Sequence, residues 1–243
     1  MLTNFIHFQF SGIHSVHCLF HGKNNSSTSS LGSITFNRGE NNTLILQNRK
    51  FLYEKLAMPI CEISQIHSDK LVFDINPIQY SETANIEADG IATKKRKTAL
   101  LIKTADCQPI LITHKTGQYI MALHVGWRGN KINFIQKAID EFCAMYQIMA
   151  KDLYAVRGPS LGPNKSEFIN FSSEWGNEYT TWYNEKEKTL NLWELTKFQL
   201  HKAGLLYQNI YGLDLCTKTL HHSYFSHREN NNTGRQASII WFE

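Results

Sequence analysis

The segment TADCQPILITHKTGQYIMALHVGWRG, residues 104–129, contains two apolar runs separated by the polar stretch HKTGQ. The β-branched and apolar residues of these runs predict two strands, at residues 110–113 and 119–125. Gly117 suits the positive φ that a tight hairpin turn requires. The segment therefore predicts an antiparallel hairpin.

The register of this hairpin decides which polar side chains meet. With Thr116 and Gly117 as the central pair of the turn, His124 lies opposite Pro109, and Cys107 lies one strand step further. Facing and diagonal residues on paired strands are within contact distance, so Cys107 and His124 are expected within reach of one small ligand or ion. Pro109 has no N–H to donate to a ladder, so a bulge or a sheet edge is expected there.

Other segments also show the composition of strands or helices. Strands are predicted at residues 34–36, 43–47, 61–66, 71–75, 99–103, 153–157 and 238–242. Helices are predicted at residues 131–148 after an N-cap at Asn130, at residues 48–56, and at residues 192–203 before a C-cap at Gly204. These elements lack a strict βαβ alternation, which predicts an α+β fold of sheets layered with helices. Without a convincing linker or internal repeat, residues 1–243 are expected to form a single domain.

Composition and charge narrow the class of protein. The 25 basic and 21 acidic residues are spread along the chain, and the only dense basic cluster, KKRK at residues 94–97, is predicted to be a solvated hairpin tip rather than a nucleic-acid contact. Five widely spaced cysteines without a CxxC pair argue against a disulfide framework. The N-terminus lacks a basic n-region, and no apolar run approaches the ~18 residues of a membrane span. We therefore expect a cytoplasmic protein without a membrane segment.

A third polar residue, His67 in SQIHSD, follows the apolar run ICEI. Together with Cys107 and His124 it gives one thiolate and two imidazoles, a ligand set that zinc accepts tetrahedrally and that leaves a fourth position open. The spacing matches no zinc-finger pattern, and a lone cysteine on an apolar strand is more often a core residue. These residues alone leave both interpretations open.

Several arginines occur in glycine-rich or polar surroundings. Glycines flank the pair Trp127 and Arg128, and the segments YFSHREN and TGRQ contain Arg228 and Arg235. An arginine at a loop edge is more often solvated or ion-paired. The alternative interpretation is that these arginines together bind an anion. On this interpretation, Arg228 and Arg235 are predicted to bind substrate.

Six motifs together carry a resemblance to a known family. They are QNRKFL, QIHS, TADCQPILI, ALHVGWRGN, RGPSLGP and CTKTLHHSYFSHRENNNTGRQ, in this order between residues 47 and 241. The combination resembles the laccase-domain family. Its members were first called multicopper polyphenol oxidases and later described as purine nucleoside phosphorylases that also deaminate adenosine and cleave methylthioadenosine.

The resemblance implies a fold, a site and substrates. His67, Cys107 and His124 would be catalytic residues and ligands of zinc, with copper the less favoured metal. Arg49 and Arg128 would line the same pocket as further catalytic residues that also bind substrate. The fold would be an α+β domain in an αββα-like sandwich, likened to the cysteine deamidase of a bacterial toxin, the cytotoxic necrotizing factor. Purine nucleosides would be the small-molecule partners and inorganic phosphate the co-substrate, in a monomer or homodimer.

Two positions depart from the family pattern. Asn164 stands where members commonly have a cysteine after GPSIGP, and Val125 stands where alanine is usual after the metal-binding histidine. These departures bear on the shape of the pocket and on the substrate range.

Four functions are weighed on this basis. The leading hypothesis is a zinc-dependent purine nucleoside phosphorylase for adenosine, inosine, guanosine and methylthioadenosine, with adenosine deaminase activity; the usual HxE and PCxxC signature of zinc deaminases is absent. Copper-dependent phenol oxidation is disfavoured because the 11 histidines include no HxH pair. A metal-free cysteine hydrolase with Cys107 as nucleophile and His124 as base, and a metal-stabilised binding module, are the other readings.

Overall fold

The computed structural model describes residues 5–23, 32–36 and 42–243 of the chain. The strands are β1 (Phe5–Phe8), β2 (Val16–His21), β3 (Ile60–Glu62), β4 (Leu71–Phe73), β5 (Gly90–Thr93), β6 (Ala99–Thr104), β7 (Gln108–His114), β8 (Ile120–Val125), β9 (Leu153–Arg157), β10 (Tyr183–Asn184), β11 (Thr189–Leu190), β12 (Ile210–Gly212) and β13 (Gln236–Phe242). The α-helices are α1 (Asn42–Leu56), α2 (Trp127–Lys131), α3 (Phe134–Tyr146), α4 (Phe171–Glu174) and α5 (Leu192–Lys202). Short 3-10 turns occupy Ala150–Asp152, Pro163–Lys165, Asn177–Trp182 and Tyr207–Asn209.

Most strands belong to two large mixed sheets. The first has the order β1-β2-β13-β6-β3 and the second the order β12-β9-β7-β8-β5-β4, while β10 and β11 form a separate pair. The pairs β3/β6, β4/β5 and β9/β12 are parallel and the remaining pairs are antiparallel. The fold is therefore α+β with mixed sheets, as the sequence predicted.

Alternation along β6 shows how the layers are ordered. Leu100 and Ile102 point into a core that also contains Leu111 and Ala122 of the second sheet, so this core lies between the sheets. Leu101 points the opposite way, into a core that the first sheet shares with α1.

A third core lies on the outer face of the second sheet. There Ile112 and Leu123 pack against Ile135 and Ile139 of α3 and Leu200 of α5. Helices thus cover both outer faces, which explains why every residue of β7 and β8 is buried.

The hairpin β7–β8 has the predicted register, because Pro109 pairs with His124. The N–H of His124 donates to the carbonyl oxygen of Asp89 on its other side, so this pair needs no N–H from Pro109. The predicted bulge or sheet edge at Pro109 is wrong, since β7 lies inside the sheet between β8 and β9.

The turn of the hairpin is displaced by one residue from the prediction. The N–H of Gly117 donates to the carbonyl oxygen of His114, which makes Lys115 and Thr116 the central pair. Gly117 follows them with a φ of +67°, in the left-handed region that glycine tolerates.

Several other sequence predictions need correction. Residues 43–47 belong to α1 instead of a strand, and residues 34–36 are not in a strand. The predicted helix at 131–148 is two helices, because Asn133 has a φ of 58° between α2 and α3. Asn130 is a buried residue of α2 rather than an N-cap.

The loop at residues 94–97 and the end of helix α5 each bear on a sequence prediction. Residues 94–97 are exposed but join β5 to β6, which belong to different sheets, so they are not a hairpin tip. Helix α5 ends at Lys202 with Ala203 as its C-cap, so the predicted C-cap Gly204, with a φ of +104°, lies one residue further along the chain. Within the residues that the structure describes, no helix combines the length and apolar character needed to cross a bilayer.

Candidate active site

Two loops and one strand bring together the side chains of His67, Cys107 and His124. His67 lies in the loop after β3 with a φ of +61°, Cys107 lies in the bend where the chain passes from β6 in one sheet to β7 in the other, and His124 is in β8. Their ligand atoms lie within 4.8 Å of one another, and Cys107 Sγ is 3.7 Å from His67 Nε2. The sequence-predicted cluster is therefore present.

Asp89 holds the imidazole of His124 from behind. Asp89 Oδ1 lies 2.7 Å from His124 Nδ1, and both residues are buried. The other carboxylate oxygen accepts hydrogen bonds from the backbone N–H and the hydroxyl of Ser68, next to His67. Because Nδ1 of His124 is engaged by Asp89, Nε2 is left for a ligand, and one carboxylate orients both histidine-bearing segments.

The charges of the cluster reinforce one another. Burial by itself raises the pKa of the Cys107 thiol, but His124 and His67 outweigh burial and lower this pKa to about 6. Burial likewise lowers the pKa of His124, but Cys107 and Asp89 outweigh it and raise this pKa to about 9. Both shifts favour a thiolate on Cys107 and an imidazolium on His124 when no metal is bound.

Gly126 makes room for the cluster. A Cβ atom at this position would lie 3.0 Å from Cys107 Sγ and 3.1 Å from His67 Cδ2. A side chain would therefore displace the thiol or the imidazole. The glycine of the GWRG motif is required for close approach rather than for an unusual φ.

The cluster borders a cavity of about 550 Å³. The wall includes an apolar part formed by Trp127, Leu161, Phe168 and Leu192. It also includes four cationic side chains: Lys103, Arg128, Arg228 and Arg235. A cavity of this volume, with an apolar wall and a few polar groups, suits a small organic ligand.

Comparison with known proteins adds the family. Residues 17–243 match the family described as multi-copper polyphenol oxidoreductase laccase. The chain belongs to this family. It is the laccase-domain family that the six motifs indicated.

Relatives in this family carry a different functional name. A Haemophilus influenzae protein named purine nucleoside phosphorylase is 31% identical over 216 residues, which cover 84% of this chain and 84% of the relative. Purine nucleoside phosphorylase YfiH of Escherichia coli is 26% identical over 211 residues, which cover 84% of this chain and 83% of YfiH. The name of the family and the names of these relatives thus point to different chemistry.

Crystal structures of two similar proteins show the same fold. The structure of YlmD from Geobacillus stearothermophilus has a TM-score of 0.85 at 21% identity and covers 100% of this chain and 97% of YlmD. A Neisseria meningitidis protein, NMB0706, has a TM-score of 0.85 at 23% identity and covers 99% of this chain and 100% of that protein. The α+β architecture with two mixed sheets is thus shared with these structures.

Three of the four predicted arginines of this laccase-domain chain lie in the cavity wall. Arg128 is exposed, and its guanidinium lies 4.4 Å from the ring centre of Trp127. Arg228 Nη1 donates to the carbonyl oxygen of Glu167, and Arg235 Nη1 donates to backbone carbonyls at the turn before β13. Substrate binding by these three arginines stays a prediction.

The fourth, Arg49, is elsewhere, so the prediction that it lines the pocket is wrong. Its side chain is 2% exposed on α1 and donates to both carboxylate oxygens of Glu62, at 2.8 and 3.2 Å. Further N–H groups donate to the Tyr53 hydroxyl and to the backbone carbonyls of Ile34, Tyr80 and Glu82. The side chain of Arg49 therefore stabilises the fold and does not line the cavity.

The sequence also missed residues that shape the site. Asp106 has a φ of +88° beside Cys107, and its carboxylate accepts hydrogen bonds from the Thr217 hydroxyl and the Arg228 N–H, both at 2.6 Å. Its carbonyl oxygen accepts from the N–H of Leu161. The acidic residue next to the motif cysteine was a signal for this role, whereas Asp89 precedes a strand far from His124 in sequence and gave none.

The two departures from the family pattern fall in different places. Val125 contributes to the cavity wall. Asn164 is exposed in the 3-10 turn at Pro163–Lys165 and is not among the described residues that line the cavity. Of the two, only Val125 is placed to affect the shape of the pocket.

Proposed function

We propose that the chain is a zinc-dependent purine nucleoside phosphorylase acting on adenosine, inosine, guanosine and methylthioadenosine, and that it also deaminates adenosine. One observation carries the proposal: the cluster of His67, Cys107 and His124 opens onto a cavity with both an apolar and a cationic wall. The names of the relatives support it.

The donor set fits a zinc ion. One thiolate and two imidazoles are ligands that zinc prefers, and Cys107, His67 and His124 have their donor atoms close enough to share one ion. When bound, zinc would supply Lewis acidity and lower the pKa of a coordinated water towards neutrality, which is the chemistry that deamination needs. Asp89 would orient His124 as an outer partner.

The rest of the cavity suits a nucleoside and phosphate. Phe168 and the leucines offer an apolar surface to the flat base, and the arginines offer charge to an oxyanion. In phosphorolysis a phosphate oxygen bonds to C1′ of the ribose as the bond from C1′ to the base breaks. The base keeps the electron pair and takes up a proton, giving free base and ribose 1-phosphate. Cationic side chains stabilise the negative charge throughout.

A second candidate is a metal-free cysteine enzyme. The arrangement of Asp89, His124 and Cys107 favours it, because a carboxylate orients an imidazole next to a thiol whose pKa is about 6. The likeness of the fold to a toxin's cysteine deamidase, predicted from the family resemblance, is consistent with this candidate.

Copper oxidation remains disfavoured. Oxygen reduction by a multicopper enzyme needs several groups of ligands. In the portion of the chain that the structure describes, His67, Cys107 and His124 are the only group of three such residues close enough to hold an ion. A cytoplasmic location and a monomeric or homodimeric state remain predictions of the sequence.

The test is product analysis with and without phosphate. Purified protein should convert adenosine to inosine in either buffer and split inosine to hypoxanthine only with phosphate, as chromatography resolves. Protein purified without added metal should contain close to one zinc per chain by elemental analysis. Splitting of inosine in phosphate-free buffer would show hydrolysis instead, and full activity after zinc removal would favour the cysteine mechanism.

A further inference from the structure

Lys103 contributes a cation to the cavity wall that no family motif pointed to. It lies near the end of β6, its side chain is 15% exposed, and Nζ is 3.1 Å from Glu62 Oε2. An ammonium group has three N–H donors. The bond to Glu62 uses one of them, so the others are left for a ligand in the cavity.

The Glu62 carboxylate that holds Lys103 is fully buried and already paired. Burial alone would raise the pKa of Glu62, but Lys103 and Arg49 outweigh burial and hold this pKa below its usual range. Tyr53 also donates its hydroxyl to Glu62 at 2.6 Å. One carboxylate therefore faces two cations, which leaves an excess of one positive charge, and the cavity lies at the Lys103 side of this group.

The backbone of Lys103 is fixed as firmly as its side chain. Gln65 accepts from the Lys103 N–H at 2.8 Å and donates to its carbonyl oxygen at 2.7 Å. Gln65 itself belongs to the cavity wall. The ammonium is thus held in place from both ends before any ligand binds, which lowers the entropy lost on binding.

Residues with hydroxyl groups also line this cavity. Thr104 Oγ1 is buried and has no hydrogen-bond partner among the residues that the structure describes, although Thr104 contributes to the cavity wall. Thr35, Ser64 and Thr83 contribute to the same wall. A buried hydroxyl without a partner is costly unless a ligand satisfies it.

We propose that Lys103 binds a phosphate oxyanion in this cavity, namely the inorganic phosphate co-substrate, and that Glu62, fixed by Arg49, positions Lys103 for this task. This inference rests on the proposed function. A fixed cation in a cavity lined by hydroxyl groups matches the several acceptor oxygens of phosphate. The proposal also gives Arg49 an indirect role. Arg49 neutralises most of the negative charge of Glu62, so the positive charge of Lys103 remains available to the ligand.

The test compares Lys103→Gln with Lys103→Arg in steady-state phosphorolysis. Lys103→Gln should raise KM for phosphate by about ten- to a hundred-fold, the loss expected for a hydrogen bond to a charged group. KM for inosine, and kcat at saturating phosphate, should change by less than about two-fold, because the proposal places Lys103 on phosphate rather than on the nucleoside. Lys103→Arg should restore most of the affinity, and Lys94→Gln is the matched change at an exposed lysine.

Glu62→Gln tests the positioning role. It should also raise KM for phosphate selectively, and a structural role alone would lower stability and active fraction without separating the two KM values. An unchanged KM for phosphate in Lys103→Gln would overturn the proposal. An equal rise of KM for inosine and phosphate would overturn it as well.

Calorimetry tests phosphate binding by Lys103 independently of whether the protein catalyses phosphorolysis. Titration of inorganic phosphate into the zinc-loaded protein should show binding that Lys103→Gln loses, even if no phosphorolysis occurs. The same titration with inosine 5′-monophosphate distinguishes the sources of the oxyanion. Binding of the nucleotide that depends on Lys103, together with phosphate binding that does not, would overturn the assignment to inorganic phosphate.

Discussion

Two charged clusters border the same cavity, and each contains a buried carboxylate that holds a basic side chain at the wall. Asp89 holds His124, and Glu62 holds Lys103. The clusters differ in what faces the cavity. Beside Asp89, the ligand atoms of His67, Cys107 and His124 face one another within 4.8 Å at the cavity, whereas Glu62 is bonded on both oxygens by residues of the fold.

The comparison shows that a buried ion pair is not in itself the sign of a catalytic group. Arg49 and Glu62 form the most deeply buried ion pair of the described residues, yet they do not line the cavity. The exposed His67, by contrast, belongs to the candidate metal site. A role at the candidate site is therefore indicated by ligand atoms that face one another at the cavity, and not by the burial of an ion pair.

The largest expected effect comes from breaking the first cluster. Cys107→Ser should lose most of the bound zinc and lower turnover about 10³-fold or more, because it removes a ligand and a thiolate at once. Elemental analysis and product chromatography measure both. Cys143→Ser on α3, outside the cavity wall, should keep zinc and activity. Full zinc occupancy in Cys107→Ser would rule out this ligand set.

Breaking the second cluster should instead destabilise the fold. Arg49→Ala leaves the buried Glu62 with one cation fewer, and removing one partner of a buried pair costs about 3–5 kcal/mol of unfolding free energy. Urea denaturation measures the loss. Lys50→Ala, at an exposed neighbour on the same helix, should change stability by less than about 0.5 kcal/mol. An Arg49→Ala protein with normal stability but no activity would instead support the prediction that Arg49 binds substrate directly.

Arg128 should behave in the opposite way to Arg49. It is exposed in the cavity wall, so Arg128→Ala should lower kcat/KM on the order of 10²-fold through lost stabilisation of charge. The melting temperature should stay within a few degrees because no buried partner is left unpaired. Arg96→Ala, in the exposed turn between β5 and β6, is the control. Equal activity of the two variants would contradict a role in substrate binding.

A smaller effect is expected behind the metal site. Asp89→Asn keeps the shape of the side chain but removes its charge from His124, and loss of such an outer partner weakens metal affinity about 10- to 100-fold. Chelator competition measures the affinity of zinc. Asp69→Asn, at an exposed ion pair with Lys137, should leave it unchanged. If both variants bind zinc equally, Asp89 has no part in orienting the ligand.

The smallest expected effect concerns the pH dependence of the melting temperature, and its test needs no substitution. In metal-free protein the pKa of Cys107 is lowered to about 6, so its contribution to stability grows above that pH and is lost as pH falls through it. The pKa of His124 is raised to about 9, so its contribution is lost as pH rises through that value. Between these pH values the gain from Cys107 and the loss from His124 oppose each other, so the melting temperature of the metal-free protein should change little across this range. A steep rise or fall of the melting temperature between pH 6 and pH 9 would contradict the charged pair.

The sequence predicted the hairpin well because its information is local. The polar turn between the two apolar runs fixes the register that pairs Pro109 with His124. The candidate metal cluster followed from the family motifs. Its outer partner Asp89 did not, since an acidic residue before a strand resembles any loop residue.

The region around Arg49 was mispredicted for the opposite reason. The β-branched and apolar residues of TLILQ favour a strand locally, yet the chain forms α1, in which Ile45 is buried and Leu52 and Leu56 pack on the first sheet. Arg49 lies on that same buried face, and its partner Glu62 comes from another element. A motif match gives no information about such a partner.

The position of β13 has a consequence for how the protein folds. It lies between β2 and β6, with Phe242 paired to Val16 and Gln236 paired to Thr104, so the first sheet joins segments that are far apart in the chain. Such non-local pairing is slow because long loops must close first. The hairpin β7–β8 is local, and its pairing does not involve β13, which lies in the other sheet. In refolding experiments we therefore expect the hairpin to gain hydrogen-exchange protection early, and catalytic turnover to return only in a later, slower phase.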